Sequence, residues 1–170
     1  DLRMSRGLGD VYKRQLQKDT LGQSMMLSSS SNNTGGWGNT SLREYLNSRL
    51  VDALPVGWKQ LIKKVKVPSS VGGKSKEITT SDCYFFIPSA IEVSSAMTDE
   101  PYVYEGQTIS YMTGNDSRIK HNTNGEPTKY WLRSPNPTYN SYYCNVEETG
   151  DLYQFHYPNE FLGVAVMFSI

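Results

Sequence analysis

Four short runs close the chain, at residues 130–132, 141–146, 152–157 and 162–168, and each carries the aromatic and β-branched residues of a strand. Thr149, Gly150 and Asp151 stand between the second and third and supply hairpin-turn chemistry. Strands this short, joined by turns, predict a small antiparallel sheet at the C-terminal end. Helical periodicity is confined to two stretches near the other end, so the fold class expected is α+β.

The first of those stretches opens with Ser41 and Glu44 in the spacing of a capping box, and Leu42, Tyr45, Leu46, Leu50 and Ala53 then share one helical face. In the second, Pro55 suits a first turn, and Trp58, Leu61, Ile62 and Val65 repeat at helical spacing. Lys59, Lys63, Lys64 and Lys66 fall around it and read as a solvated face. Residues 28–36 (SSSSNNTGG) read as a loop or linker, 69–76 as a Gly, Ser and Lys loop, and 98–124 as long loops poor in aliphatics. Residues 84–87 read as a short buried strand that Pro88 ends.

At 170 residues the chain matches one domain with a real core. Acidic and basic residues balance at 17 each, which gives no field to attract nucleic acid or an anionic membrane surface. The longest apolar run, 161–170, is about half the ~20 residues that a membrane helix needs, so no membrane insertion is expected. Cys83 and Cys144 lack the spacing of a zinc site, and His121 and His156 are too few for a three-histidine centre. Glu147 and Glu148 are adjacent and would point to opposite sides of a strand, the wrong arrangement for a catalytic carboxylate pair. The expectation is therefore no catalytic residues, no metal and no cofactor.

Six of the twelve tyrosines fall between Tyr130 and Tyr157, among asparagines, just behind the string WLRSP. A buried tyrosine needs a partner for its hydroxyl, so a core would sooner use Leu, Ile or Val. Alternation along 141–146 puts Tyr142, Cys144 and Val146 inward and turns Tyr143 and Asn145 outward. In the next strand Tyr153, Phe155 and Tyr157 share a face, an aromatic shelf if outward and core if inward. Tyrosine and asparagine together combine large contact area with adaptable hydrogen bonding, the chemistry of antibody paratopes. The ligand-binding set assigned on these grounds is Asn136, Tyr139, Asn140, Tyr143, Asn145, Tyr153 and His156. Trp37, Trp131 and Arg133 are assigned as structural anchors.

Six ordered motifs carry a resemblance: GGW at 35–37, LREYLN at 42–47, IPSAIEV at 87–93, SRIK at 117–120, YWLRSP at 130–135 and GVAVMFSI at 163–170. They are similar to those of an uncharacterised domain of gut bacteria and their phages with GGW, LRxWLN, WWLRSP and a terminal GVxxGFxI. The layout also resembles the C-type-lectin-like fold of formylglycine-generating enzymes and of retroelement variable proteins. That resemblance implies two short N-terminal helices, long loops, a small C-terminal sheet and ligand contacts between the last two motifs. The chain departs from the enzymes in lacking a close cysteine pair for copper. It departs from calcium-dependent lectins where Glu126, Pro127 and Thr128 lack the last oxygen ligand of their triplet.

Residues 1–15 resemble translated adapter read-through and are set outside the fold. Residues 16–36 are read as a loop or the remnant of a truncated N-terminal part, and 37–170 as a single C-type-lectin-like domain. The function expected is non-enzymatic recognition of a host-surface protein or glycan, on a phage tail or bacterial surface, with homo-oligomerisation inside such an assembly. The alternative is a structural domain of a virion or envelope protein that has no ligand of its own.

Overall fold

The computed structural model describes residues 14–170, and its elements are short because Gly, Pro, Asn and Ser punctuate the chain throughout. Strands β1 (Arg14–Leu16) and β2 (Met25–Met26) precede a 3-10 turn at Gly36–Asn39 and helix α1 (Ser41–Tyr45), which runs on through a π-turn at Leu46–Leu50. Helix α2 (Val56–Leu61) leads to a hairpin of β3 (Val65–Ser70) and β4 (Ile78–Cys83), followed by β5 (Phe85–Phe86). Helices α3 (Ala90–Val93) and α4 (Asn115–Arg118) interrupt the loops ahead of β6 (Lys120–His121), β7 (Pro127–Thr128) and β8 (Tyr130–Pro135). The last strands are β9 (Tyr143–Val146), β10 (Leu152–His156), β11 (Phe161–Leu162) and β12 (Met167–Ser169).

These strands pair into several small antiparallel sheets, of which β10-β9-β8 and β1-β12-β5 have three strands each. The architecture is mixed α and β, with few helices. Both faces of the β8–β9 pair are covered. Trp131 and Tyr143 belong to one apolar cluster with Trp37, Leu46 and Phe86, while Tyr130, Leu132, Cys144 and Val146 belong to a second with Ala90 and Ala165. A strand buried on both sides loses the alternation of a half-buried one.

Several sequence expectations need correction. Helix α1 is capped by Thr40, not Ser41: the Thr40 hydroxyl accepts from the Arg43 N–H at 3.2 Å. Helix α2 ends at Leu61, and Val56, Trp58 and Leu61 are exposed, so the expected apolar face is not a buried one. Ile62 and Val65 are buried, but on extended chain that enters β3. Val65 opens β3, which pairs along its whole length with β4 in a hairpin that the sequence reading does not contain.

The N-terminal boundary also moves. Arg14 and Gln15 pair with Ser169 and Phe168, and Arg14 reaches the buried Glu92 carboxylate at 3.0 Å. Residues 1–13 lie outside the described residues. Residues 16–36 are integral to the domain: Leu27 is core, β2 pairs with β11, and the Lys120 ammonium donates to the carbonyls of Gln17 and Lys18 at 2.5 and 2.8 Å.

Beneath the sheets lies a buried ionic network centred on Arg133, whose side chain is wholly buried. Register shifts between Trp131 and Pro135, and there the Arg133 N–H leaves β9 to donate to the Pro88 carbonyl at 2.9 Å. Its guanidinium meets the Glu92 carboxylate through two bonds, at 2.6 and 3.1 Å, and donates to the carbonyls of Pro68 and Ile87 at 2.9 and 2.8 Å and to that of Glu105. Glu92 is itself fixed as the third residue of a capping box with Ser89. The Glu105 carboxylate accepts from Ser70 N–H at 2.8 Å and from the Ser134 hydroxyl, which in turn accepts from Ala90 N–H at 2.8 Å.

Burial pushes the Glu105 carboxyl up to about 7, against the pull of Ser134, Ser70 and Arg133. The folded chain therefore holds this proton more tightly than the unfolded chain, whose carboxyl stays near 4.5. Its contribution to stability is fully present below the unfolded value, falls as pH rises through 7 and is constant above. Glu105→Gln removes that slope. Thermal unfolding measured between about pH 5 and pH 8 should show the wild type losing stability relative to the variant as pH rises. Parallel curves for the two proteins would show that Glu105 does not titrate there.

Candidate functional site

An Asn on each side fixes the loop that joins β8 to β9. The Asn33 amide nitrogen lies 2.8, 3.0 and 3.2 Å from the carbonyls of Tyr142, Tyr139 and Asn136, and its Oδ1 accepts from Gly73 N–H at 2.8 Å. Asn136 accepts from the N–H groups of Thr138 and Tyr139 at 2.9 and 3.0 Å, which closes an Asx turn, and donates to the Gln154 carbonyl at 2.8 Å. The β9–β10 hairpin is pinned at its tip. Gly150 has φ +83°, a conformation that favours glycine, and a Cβ there would lie 2.1 Å from the Asn115 carbonyl oxygen. The Gly150 carbonyl accepts from Arg118 Nε at 2.7 Å.

Strand β10 is the outer strand of its sheet and carries a bulge. Tyr153 pairs with Asn145, but His156, not Phe155, stands opposite Tyr143. Exposure still alternates along the strand, with Tyr153 and Phe155 more open than Leu152, Gln154 and His156. Tyr153, Phe155 and Tyr157 are 42, 45 and 44% exposed, and Tyr139 is 51% exposed. With the half-buried Tyr142 they form a continuous array: Tyr139–Tyr142 6.0 Å, Tyr142–Phe155 5.7 Å, Tyr142–Tyr157 4.9 Å and Tyr153–Phe155 5.6 Å between ring centroids. The Tyr142 and Tyr157 hydroxyls lie 3.3 Å apart. The strand-face question from the sequence is answered as a shelf.

Beside the rings runs an open groove of about 490 Å³. Its polar wall is Lys129, Glu147 and Glu160, with His156 behind. Lys129 pairs with Glu147 at 2.8 Å, and Glu147 accepts from the Asn145 amide at 2.8 Å. That fixes the Asn145 orientation, so its Oδ1 accepts from His156 Nδ1 at 2.7 Å. Nε2 then faces Glu160 at 3.4 Å. Burial holds the imidazole below its ordinary value, against the pull of Glu160 and Glu147.

Of the residues assigned to ligand binding from the sequence, Tyr139, Asn140 and Tyr153 are exposed, and His156 is largely covered beneath Tyr153. Asn136, Tyr143 and Asn145 are buried and are corrected to scaffold roles. Tyr143 faces the main core because that side of β9 is covered, and the two asparagines spend their amides on the turn and on the Glu147–His156 network. The shelf adds Tyr142 to the set, with Phe155 and Tyr157, which the sequence groups with Tyr153 on one face but leaves outside the assigned residues, and the groove adds Lys129 and Glu160. Strict alternation places Tyr142 inward, although β9 begins only at Tyr143.

The motifs turn out to be staples of the scaffold. In GGW, Gly36 has φ +57° and a Cβ there would meet the Ser70 carbonyl oxygen at 1.8 Å, so only glycine lets Trp37 drop into the core. Asn47 of LREYLN accepts from Tyr84 and Phe85 N–H at 2.6 and 3.1 Å and donates to the Phe85 carbonyl at 2.7 Å. Gly163 exchanges bonds with β8, accepting from Trp131 N–H at 3.1 Å and donating to the Lys129 carbonyl at 2.8 Å. Cys83 and Cys144 lie in separate apolar clusters, not side by side. Among the described residues no group of three or more His, Cys, Asp or Glu is placed to hold a metal, and no helix is long and apolar enough to cross a membrane.

Residues 15–170 match the family described as "Domain of unknown function (DUF6273)", and the chain belongs to that family. No curated protein and no solved structure matches it.

Proposed function

We propose that this member of the DUF6273 family is a non-enzymatic recognition domain that binds a host-surface molecule through the shelf of Tyr139, Tyr142, Tyr153, Phe155 and Tyr157. The observation that carries the reading is the contrast in one stretch of chain: Tyr130 and Tyr143 are buried, while these five rings, from β10, the residue after it and the loop ahead of β9, meet at the surface on a frame held by Asn33, Asn136 and Gly150. Exposed contiguous aromatics on a rigid frame are the pattern of an interaction site. Pre-organisation lowers the ordering cost of binding. The C-type-lectin-like class, and a setting on a phage tail or bacterial surface, rest on the motif resemblance; the small C-terminal sheet agrees with that class.

The expected result is saturable binding of the labelled protein to intact cells in a panel of bacteria, with Tyr153→Ala and Tyr157→Ala each weakening it roughly tenfold or more at unchanged unfolding midpoints. Undiminished binding by both variants would remove the shelf from the mechanism. A second reading, a structural domain that packs against its neighbours, draws on the exposed Val56, Trp58 and Leu61 of α2. It requires stable self-association in light scattering that Trp58→Ser abolishes.

A further inference from the structure

We infer that the occupant of the groove beside the shelf is an uncharged segment of a glycan; this rests on reading the shelf as a recognition surface. Two features of the groove define the ligand chemistry. Tyr153, Phe155 and Tyr157 line the groove, and an exposed aromatic face carries a negative quadrupole that attracts the weakly positive C–H face of a pyranose. The same lining holds carboxylate acceptors, an ammonium donor and phenol hydroxyls that serve as both. Sugar hydroxyls, each a donor and an acceptor, can use all of them.

Charge then selects among glycans. Glu147 and Glu160 line the groove and Glu148 lies just beyond, within 4.0 Å of Lys129. Lys129 is the single cation in the lining, and Glu147 already holds it at 2.8 Å. The wall therefore carries net negative charge with His156 neutral, and a phosphate or a sugar carboxylate entering it meets repulsion. The groove volume of about 490 Å³ falls within the range of ligand sites, roughly 300–1,000 Å³. Of the two lining carboxylates Glu160 is the more open to sugar hydroxyls, with half of its side chain exposed.

The test uses the whole chain, intact cells from a strain that it binds, and an array of immobilised neutral, sialylated and phosphorylated oligosaccharides. Periodate treatment of the cells, which cleaves vicinal diols, should cut binding at least tenfold, and protease treatment should leave it intact. On the array, neutral oligosaccharides should bind in preference to both acidic classes. Glu160→Gln should lower affinity severalfold at an unchanged unfolding midpoint. Binding that survives periodate and disappears with protease overturns the glycan assignment and leaves the recognition surface standing. Preference for acidic oligosaccharides overturns the charge argument. No saturable binding to any cell or oligosaccharide overturns the recognition reading itself.

Discussion

Arg133→Met should unfold the domain more readily than any substitution on the shelf, by about 3–5 kcal/mol, the usual cost of removing one partner from a buried ion pair. The loss has several sources besides the pair. Glu92 would remain almost fully buried with only Arg14 as a cationic partner, and Arg14 is one-third exposed. The carbonyls of Pro68, Ile87 and Glu105 would each lose a donor, and these belong to three separate segments that Arg133 ties together. Arg133→Lys should recover little, because one ammonium cannot reproduce a planar fork that serves a carboxylate and three carbonyls. At this chain length such a loss lowers the unfolding midpoint by roughly 10 °C. Urea unfolding of both variants checks it, and a loss below about 1 kcal/mol would mean that the network is dispensable.

Trp131→Ala should cost about 3–5 kcal/mol as well, through a cavity that the surrounding β-structure cannot close. Trp131 is fully buried among the main core, and its indole N–H donates to the Met25 carbonyl at 2.8 Å, which ties β8 to β2. Its ring meets His156 edge-on at 6.1 Å, so the same cavity opens beneath the groove. Trp131→Phe should recover part of the stability by refilling volume, without the bond to Met25. Trp37→Ala should behave similarly, since Trp37 sits in the same cluster. A denaturant midpoint close to wild type for either alanine variant would place that indole outside the core.

How much of this was legible in the sequence can be judged at single residues. The β9–β10 hairpin was readable because aromatic and β-branched runs flank Thr149, Gly150 and Asp151, whereas the run 162–168, read as one strand, divides into β11 and β12, which pair with β2 and with β1 and β5. The outward phase of Tyr143 and Asn145 was not, because alternation reports a face only when the other face is covered, and β9 is covered on both. The bulge in β10 leaves no local sequence mark, yet it decides that His156 and not Phe155 stands opposite Tyr143. Residues 28–36 look like a linker by composition. Asn33 turns them into the support of the 136–142 loop through contacts more than one hundred positions away, which no local pattern reveals. Helical spacing from Trp58 to Val65 was real as arithmetic, but pairing of β3 with β4 outweighed it.

Tyrosine exposure and tyrosine function meet in one measurement. The central claim is that tyrosines of one short stretch divide into buried ones that hold the domain and exposed ones that recognise its target. Fluorotyrosine-labelled protein, titrated with surface polysaccharide from a strain that it binds and followed by fluorine NMR, reads both groups at once. The account predicts that the resonances of Tyr139, Tyr142, Tyr153 and Tyr157 shift or broaden with saturation while those of Tyr130 and Tyr143 stay in place. Saturable shifts confined to Tyr130, Tyr143 or tyrosines away from the shelf, with these four unmoved, would contradict it.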